Sequence, residues 1–334
     1  MKTYVLGTHN VTIDIINCLL GKIKIDGVVG LSKREENDKI SGYIYMADYC
    51  KQKSVNFVEV EDYNLKTEDD KKKLLELEID VLLVLGWQRL IPNWLIKHCR
   101  IGVFGIHGSS KGIVRGRGRS PQNWAIILGE KTFSLSLFNI TEGIDEGPIV
   151  ETREYELSIF DDIKTSYYKV SILSAEMILA MFKKLENNNL CYQEQFGEPR
   201  YLPQRLPSDG QIDWNRSSME IYNFIRALTK PYPGAFTVFN NNIIKIWKAI
   251  PFNLDIEDYS VPGQVVKVFH DGEILVKTLD SFLLIQDYDT DIIIKEGSVF
   301  ESVSFSDQIK KIIHRHNMKY PHLKIIEEIE ILAK

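Results

Sequence analysis

The spacing of short apolar runs constrains this chain most. Tyr4-Val5-Leu6-Gly7 and residues 80–85 each read as a buried strand, residues 24–31 as a second strand and residues 56–60 as a short one. Between them, residues 12–20, 43–51 and 66–77 place apolar side chains at helical spacing. Leu74, Leu75 and Leu77 form the apolar face of the last of these. A charged loop, residues 32–40, follows the second strand. Strands that alternate with helices predict an α/β fold, a mostly parallel Rossmann-like sheet with helices on both faces. The GxGxxG fingerprint is absent after the first strand, so a dinucleotide site has no support from a phosphate loop.

Residues 102–147 are the centre of the chain. Val103-Phe104-Gly105-Ile106 reads as a buried strand that ends on His107. A basic, glycine-rich loop follows (residues 115–119), then Pro121 at a helix start and an apolar helix through Leu128. A strand over residues 133–138 leads into a turn that carries Asp145 between Gly143 and Gly147. A histidine at a strand end and an acid in a glycine-rich turn suit a site built from loops on a rigid sheet. Gly86 to Pro92 lies at the carboxyl end of the fourth strand, where open α/β sheets bind ligands. Residues 148–151 read as a strand along the sheet edge, and residues 163–185 as a long amphipathic helix.

A chain of 334 residues exceeds the size at which single cores stop growing, about 250–300 residues, so two domains are expected. Residues 197–210 hold three prolines and two glycines and mark the boundary. The expected organisation is residues 1–200 as one domain, 201–300 as a linker helix and small β-rich domain, and 301–334 as a helical tail. Within the second domain, residues 217–228 read as a helix. Residues 235–239 and 243–249 read as a hairpin around three asparagines, and residues 261–270, 273–277 and 281–286 as short strands. This suggests an OB-like barrel or open sheet. The net charge of −5 gives no overall attraction for phosphate backbones. Cys18, Cys50, Cys99 and Cys191 form no CxxC pair and are expected as reduced thiols in a cytoplasmic protein. The first residues lack the pattern of a signal peptide, and no apolar stretch is long enough to span a bilayer, so no membrane partner is expected.

The central stretch resembles the formyltransferases that take a formyl group from N10-formyltetrahydrofolate. Their pattern is a strand, an N-x-H-x-S segment, an RGRxPxNW-type loop and a G-x-D-x-G turn. Here His107-Gly108-Ser109, Arg117-Gly118-Arg119-Ser120-Pro121-Gln122-Asn123-Trp124 and Gly143-Ile144-Asp145-Glu146-Gly147 stand in that order. Pro207-Ser208-Asp209-Gly210-Gln211-Ile212-Asp213-Trp214 and the run from Arg226 to Phe236 are similar to segments that join the two domains of sugar-nucleotide N-formyltransferases. Val261-Pro262-Gly263 with Asp271-Gly272 resembles their small C-terminal barrel. The likeness covers most of the chain to about residue 290, and several independent motifs in order make it specific at family level. One position departs. The family asparagine two residues before the histidine, part of an Asn-His-Asp set, is Gly105 here. Asn123 is no obvious substitute, because it matches an asparagine the sugar enzymes already have.

The resemblance implies formyl transfer from N10-formyltetrahydrofolate to the amino group of a nucleotide-linked amino-dideoxy sugar, as in lipopolysaccharide or glycan biosynthesis. No metal and no nucleic acid are expected. Methionyl-tRNA formyltransferase is the alternative enzyme; the acidic balance and the Pro-Tyr-Pro-Gly-Ala-Phe segment favour the sugar. A homologue that binds folate or sugar nucleotide with impaired catalysis is the alternative of another class. Gly105 motivates it, and intact His107 and Asp145 oppose it.

In the implied reaction a neutral amine attacks the formyl carbon, an oxyanion forms and the folate nitrogen leaves. His107 is implied to donate to the oxyanion or the leaving nitrogen. Asp145 is implied to orient the imidazole and take up the amine proton. A backbone N–H from residues 105–108, the Ser109 hydroxyl or a water would replace the missing asparagine. By the same resemblance Arg89, Leu90 and Ile91 line the pterin with backbone groups. Thr141, Glu142, Gly143 and Ile144 close over that ring, and Arg119 sits beside it. Tyr232 and Ser109 are assigned to the acceptor.

Local readings stand beside these. Arg115 and Arg117 divide evenly between structure and anion contact, and Tyr232 between turn anchor and substrate contact. Trp124 and Trp214 read as packing residues, and Trp87 as a loop residue packed on the core, with the cofactor site as its alternative. Asp209 and Asp213 read as turn and cap residues. His314, His316 and His322 read as surface residues without metal-ligand spacing. The apolar stripe Ile325, Ile326, Ile329 and Leu332 motivates a homodimer.

Overall fold

The computed structural model describes residues 1–34, 40, 42–255 and 260–334. Residues 35–39 and 41 lie outside the described residues, and the charged loop expected over 32–40 falls largely on them. The chain forms two compact units that alternate along the sequence. The first comprises Met1–Arg117, Phe133–Tyr155 and Tyr167–Glu198; the second comprises Gly118–Thr132, Glu156–Ser166 and Pro199–Lys334.

The first unit is built on a seven-stranded sheet. Its strands are β1 (Thr3–Leu6), β2 (Gly27–Leu31), β3 (Phe57–Val60), β4 (Val81–Val84), β5 (Gly102–Ser109), β6 (Thr132–Asn139) and β7 (Ile149–Glu156). Their order is β3-β2-β1-β4-β5-β6-β7, parallel from β3 to β5, with β6 antiparallel to β5. Every residue of β1, β2 and β4 is buried, as expected of central parallel strands covered on both faces. Each buried Val, Leu or Ile there contributes about 1.5–3 kcal/mol. β7 alternates along its length and forms the sheet edge, as its sequence suggested.

The helices are α1 (Asn10–Leu19), α2 (Ala47–Lys53), α3 (Glu68–Leu75) and the short α4 (Asn93–His98). The Thr67 hydroxyl caps α3 by accepting from the Asp70 N–H, and three acids occupy its first turn. The expected apolar face of α3 needs correction. Leu74 is buried but Leu75 is 44% exposed, because successive residues of a helix cannot share a face. Asp70 turns inward instead and accepts from the N–H groups of Glu61 and Asp62.

Asp80 ties the start of the sheet together. It accepts from the Lys2 N–H at 2.6 Å and from Arg100 Nε at 2.5 Å. The Arg100 hydrogen bond, helped by that N–H, holds the Asp80 carboxyl below its ordinary value. A depressed folded-state value stabilises above the unfolded value and is lost as the pH falls through the folded one. Asp80→Asn is therefore expected to cost about 1–3 kcal/mol at neutral pH. In urea melts the difference from wild type should shrink as the pH drops below about 4. A pH-independent difference would contradict this account.

All four cysteines are free. Burial pushes the Cys50 thiol up to about 11 and the Cys99 thiol up to about 12.

The second unit contains α5 (Pro121–Ile127), the start of the long helix α6 (Ile163–Glu186), α7 (Ser218–Leu228) and a five-stranded antiparallel sheet. Its strands are β8 (Ala235–Phe239), β9 (Asn242–Phe252), β10 (Val265–Val268), β11 (Ile274–Lys277) and β12 (Phe282–Asp289), in the order β8-β9-β12-β11-β10. Asn240 and Asn241 turn the β8–β9 hairpin with φ of 50° and 62°, the positive values its two-residue turn requires. Residues 298–301 bridge the two sheet edges, with the Glu301 N–H donating to Val238 O and the Val265 N–H to Ser298 O. That bridging blunts both free edges, as a barrel does. Trp214 is fully buried there, donates from Nε1 to Thr237 Oγ1, and packs on Phe300.

The tail forms α8 (Phe305–Lys319) and α9 (Glu327–Leu332). Ile325, Ile326 and Ile329 are 2%, 1% and 0% exposed within the chain itself, so the stripe that motivated a homodimer is already covered. His316 is buried too and donates from Nε2 to Leu323 O, which corrects its reading as a surface residue. Among the described residues, no helix is long and apolar enough to cross a membrane. No group of three or more His, Cys, Asp or Glu among them suits a metal ion.

Candidate active site

The first unit brings His107 and Asp145 together. β5 extends past its expected end, through His107 to Ser109, because β6 pairs with it at Ile106↔Leu137, His107↔Ser136 and Ser109↔Ser134. The imidazole thus projects from a strand held on both sides. Its Nδ1 lies 3.5 Å from Asp145 Oδ2, and the two side chains are 11% and 22% exposed. Its Nε2 lies 2.7 Å from Gly116 O. A carbonyl only accepts, so Nε2 carries hydrogen and Nδ1 is the nitrogen left to exchange a proton beside the carboxylate.

Asp145 sits in the left-handed region with φ of 50°, tolerated by a short polar side chain. Its turn is closed by a close backbone approach. A Cβ on Gly147 would lie 1.7 Å from Asn139 O. Gly143 is less constrained, since the nearest atoms a Cβ there would meet belong to the exposed Glu146 carboxylate.

The other candidates are placed as follows. Arg89 stacks 4.5 Å over the Tyr63 ring, Leu90 is 59% exposed, and the Ile91 side chain belongs to the core. The Gln88 N–H next to them donates to the Tyr63 hydroxyl. Thr141 and Ile144 are half-buried, and Glu142 is exposed. Among the described residues, the buried atoms Thr141 Oγ1 and Trp87 Nε1 are without a hydrogen-bond partner. A flat heteroaromatic ligand with donors and acceptors on its edge fits such a set.

Ser109 is 1% exposed, accepts from the Lys111 N–H and packs on Gly116. It anchors the loop that follows β5. Arg117 is 7% exposed and donates from Nη2 to Gln195 Oε1, so its head is locked and not solvated.

In the second unit, the half-buried Arg119 donates its N–H to Leu202 O. Tyr232 is half-buried in a turn in which its N–H donates to Thr229 O. The same turn packs on Trp247, which sequence reasoning did not single out. A Cβ on Gly234 would lie 2.8 Å from that ring, and Lys230 stands 4.9 Å over it. Asn123 is buried and donates to Ala227 O, and Trp124 is fully buried and donates to Pro203 O. Asp209 accepts from the Leu206 N–H and from Arg315, and Asp213 from the Phe305 N–H, as turn and cap residues do.

Comparison with known proteins gives this arrangement its relatives. Residues 18–181 match the family described as formyl transferase, and residues 206–291 match the formyl transferase C-terminal domain. Methionyl-tRNA formyltransferase of Thermodesulfovibrio yellowstonii (strain ATCC 51303 / DSM 11347 / YP87) is 31% identical over 222 residues, which cover 66% of this chain and 69% of that protein. The chain belongs to the formyltransferase family. It is accordingly an N-formyltransferase. Bifunctional polymyxin resistance protein ArnA of Wigglesworthia glossinidia brevipalpis is 32% identical over 80% of this chain, which spans only 40% of that longer protein. The fold is shared with WlaRD, a sugar 3N-formyl transferase solved in the presence of dTDP and 5-N-formyl-THF. The TM-score is 0.60 at 19% identity, covering 86% of this chain and 97% of that one.

Proposed function

We propose that this N-formyltransferase transfers a formyl group from N10-formyltetrahydrofolate to the amino group of a nucleotide-linked amino-dideoxy sugar, with His107 and Asp145 as its reacting pair. The observation that carries the transfer is the 3.5 Å approach of Asp145 Oδ2 to His107 Nδ1. The folate supplies the formyl carbon when bound. The backbone of residues 89–91, Thr141 Oγ1 and Trp87 Nε1 are the groups suited to hold its ring. Nε2 is fixed by Gly116 O, so a proton gained or lost by the ring passes at Nδ1. Asp145 orients the ring and takes up the proton released by the amine, directly or through water.

The acidic chain and the aromatic turn at Tyr232 and Trp247 support the sugar acceptor over a polyanion. A second reading, with methionyl-tRNA as acceptor, rests on the relative of that name at 31% identity. Incubation with N10-formyltetrahydrofolate and a panel of nucleotide-linked 3-amino and 4-amino sugars, beside charged initiator tRNA, separates the two. The expected result is a formyl adduct, seen by mass, on one sugar and none on the tRNA. Formylation of the tRNA alone would replace the sugar reading.

The family asparagine would crowd the Ile140 side chain here. A Cβ on Gly105 would lie 2.8 Å from Ile140 Cδ1 and 3.1 Å from its Cγ1. Gly105→Asn is expected to cost about 1–3 kcal/mol in stability, as overpacking does, and to give no gain in rate. Adding Ile140→Ala should relieve the crowding. Thermal melts and kcat check both statements. A strong rise in kcat for Gly105→Asn alone would mean that the natural site is crippled.

A further inference from the structure

Residues 192–196 carry no motif, and the sequence suggested no role for them. In the fold this segment is pinned to the sheet. Gln193 and Ile149 exchange both N–H to O hydrogen bonds at 2.8 Å, just after the Asp145 turn. From that anchor the Gln195 side chain reaches three groups of the candidate site. Nε2 donates to Asp145 O at 2.9 Å and to Gly147 O at 2.8 Å, and Oε1 accepts from Arg117 Nη2 at 2.8 Å. Both amide protons and the amide oxygen are thus engaged.

These contacts have a shared target. Asp145 holds a backbone conformation that side-chain-bearing residues adopt rarely, with φ of 50°. Such a conformation persists where its surroundings over-determine it. Gln195 ties down the carbonyls on either side of Glu146, and so fixes the direction of the Asp145 side chain. Through Arg117 it also holds the loop whose Gly116 carbonyl takes the His107 Nε2 hydrogen. Both supports of the imidazole, the carboxylate at Nδ1 and the carbonyl at Nε2, are therefore joined by one amide.

We infer that Gln195 is a positioning residue that sets the Asp145–His107 geometry by clamping the Asp145 turn to the Arg117 loop. The inference rests on the reading of His107 and Asp145 as the reacting pair.

Two substitutions separate positioning from mere packing. Gln195→Glu keeps the size and an oxygen for Arg117 but cannot donate to the two turn carbonyls. Gln195→Ala removes everything. Both are expected to lower kcat about 10–100-fold, the scale of a misplacement near 1 Å. KM for the formyl donor should stay within about threefold, since ring binding is not touched. In an Asp145→Asn background, Gln195→Ala should cost less than about twofold further, because its effect passes through Asp145. A readout free of turnover is the 15N imidazole spectrum, with the His107 signals assigned by their loss in His107→Gln. In both Gln195 variants those signals should move toward their positions in Asp145→Asn.

Full kcat in Gln195→Glu, or unmoved His107 signals in both variants, would overturn the inference. Should Gln195→Ala fail to fold, Gln195→Glu carries the test. Absence of formyl transfer by the wild type would strike the functional reading alone, and the imidazole spectra would still decide the role of Gln195.

Discussion

His107→Ala should remove nearly all formyl transfer, lowering kcat by about 10²–10⁴, the range expected when a positioned proton-transfer group is lost. The loss should appear in kcat with little change in folate affinity, because the imidazole acts at Nδ1 on a proton and the ring-binding groups lie elsewhere. Stability should change little. The variant gives up one partly exposed hydrogen bond, to Gly116 O, worth about 0.5–1.5 kcal/mol. Asp145→Asn should fall in the same direction, since an amide keeps the shape but cannot accept a proton. Steady-state kinetics beside a thermal melt provide the check. A folded His107→Ala enzyme with wild-type turnover would remove His107 from the reaction and leave the Gly105 site without a rationale.

Gly147→Ala should be the most damaging single-methyl change near the site. The new Cβ would begin 1.7 Å from Asn139 O, a backbone atom at the end of β6 that cannot swing aside. The Asn139 N–H also donates to Pro148 O at 2.9 Å, so the strand end and the turn exit are bonded where room would be needed. The turn must open by on the order of 1 Å, which would carry Asp145 away from His107 and cost about 10²-fold in rate. Overpacking of this kind also costs about 1–3 kcal/mol in stability. Gly143→Ala is the internal control. The nearest atoms its Cβ would meet are those of the Glu146 carboxylate, 49% exposed in its ion pair with Arg117 and able to rotate into solvent, so rate and melting temperature should stay near wild type. Equal damage from both alanines would mean that the turn is sensitive throughout, not at the close approach.

Much of this architecture was legible in the residues. The continuous apolar runs of β1, β2 and β4 announce central strands, and the alternating β7 announces an edge. The Asn-Asn turn announces a hairpin. Misreadings came where a local pattern has more than one tertiary use. Leu75 continues an apolar run but lies off the face that Leu74 buries. Ile325, Ile326 and Ile329 look like an interface and are covered by their own unit. His316 looks like a surface residue and is buried, with its Nε2 donating to Leu323 O.

His107, Asp145 and the two glycines of the turn stood out because strand ends and glycine-rich turns are local signals, set by backbone sterics over a few residues. Gln195 carries no such signal. Its hydrogen bond to Asp145 O spans 50 residues of chain, and that to Arg117 spans 78. Only strand pairing, which lays residue 193 beside Ile149, brings that amide to the turn. The crowding an asparagine would meet at Gly105 is likewise decided by Ile140, a side chain delivered by the neighbouring segment after β6. Periodicity and turn chemistry act within a few residues, and so the order of residues sufficed for most of the elements and for singling out His107 and Asp145 as the candidate pair. The clamp on that pair and the space around it belong to contacts across the folded sheet, where hydrogen-bond geometry and excluded volume choose among many side chains of similar type.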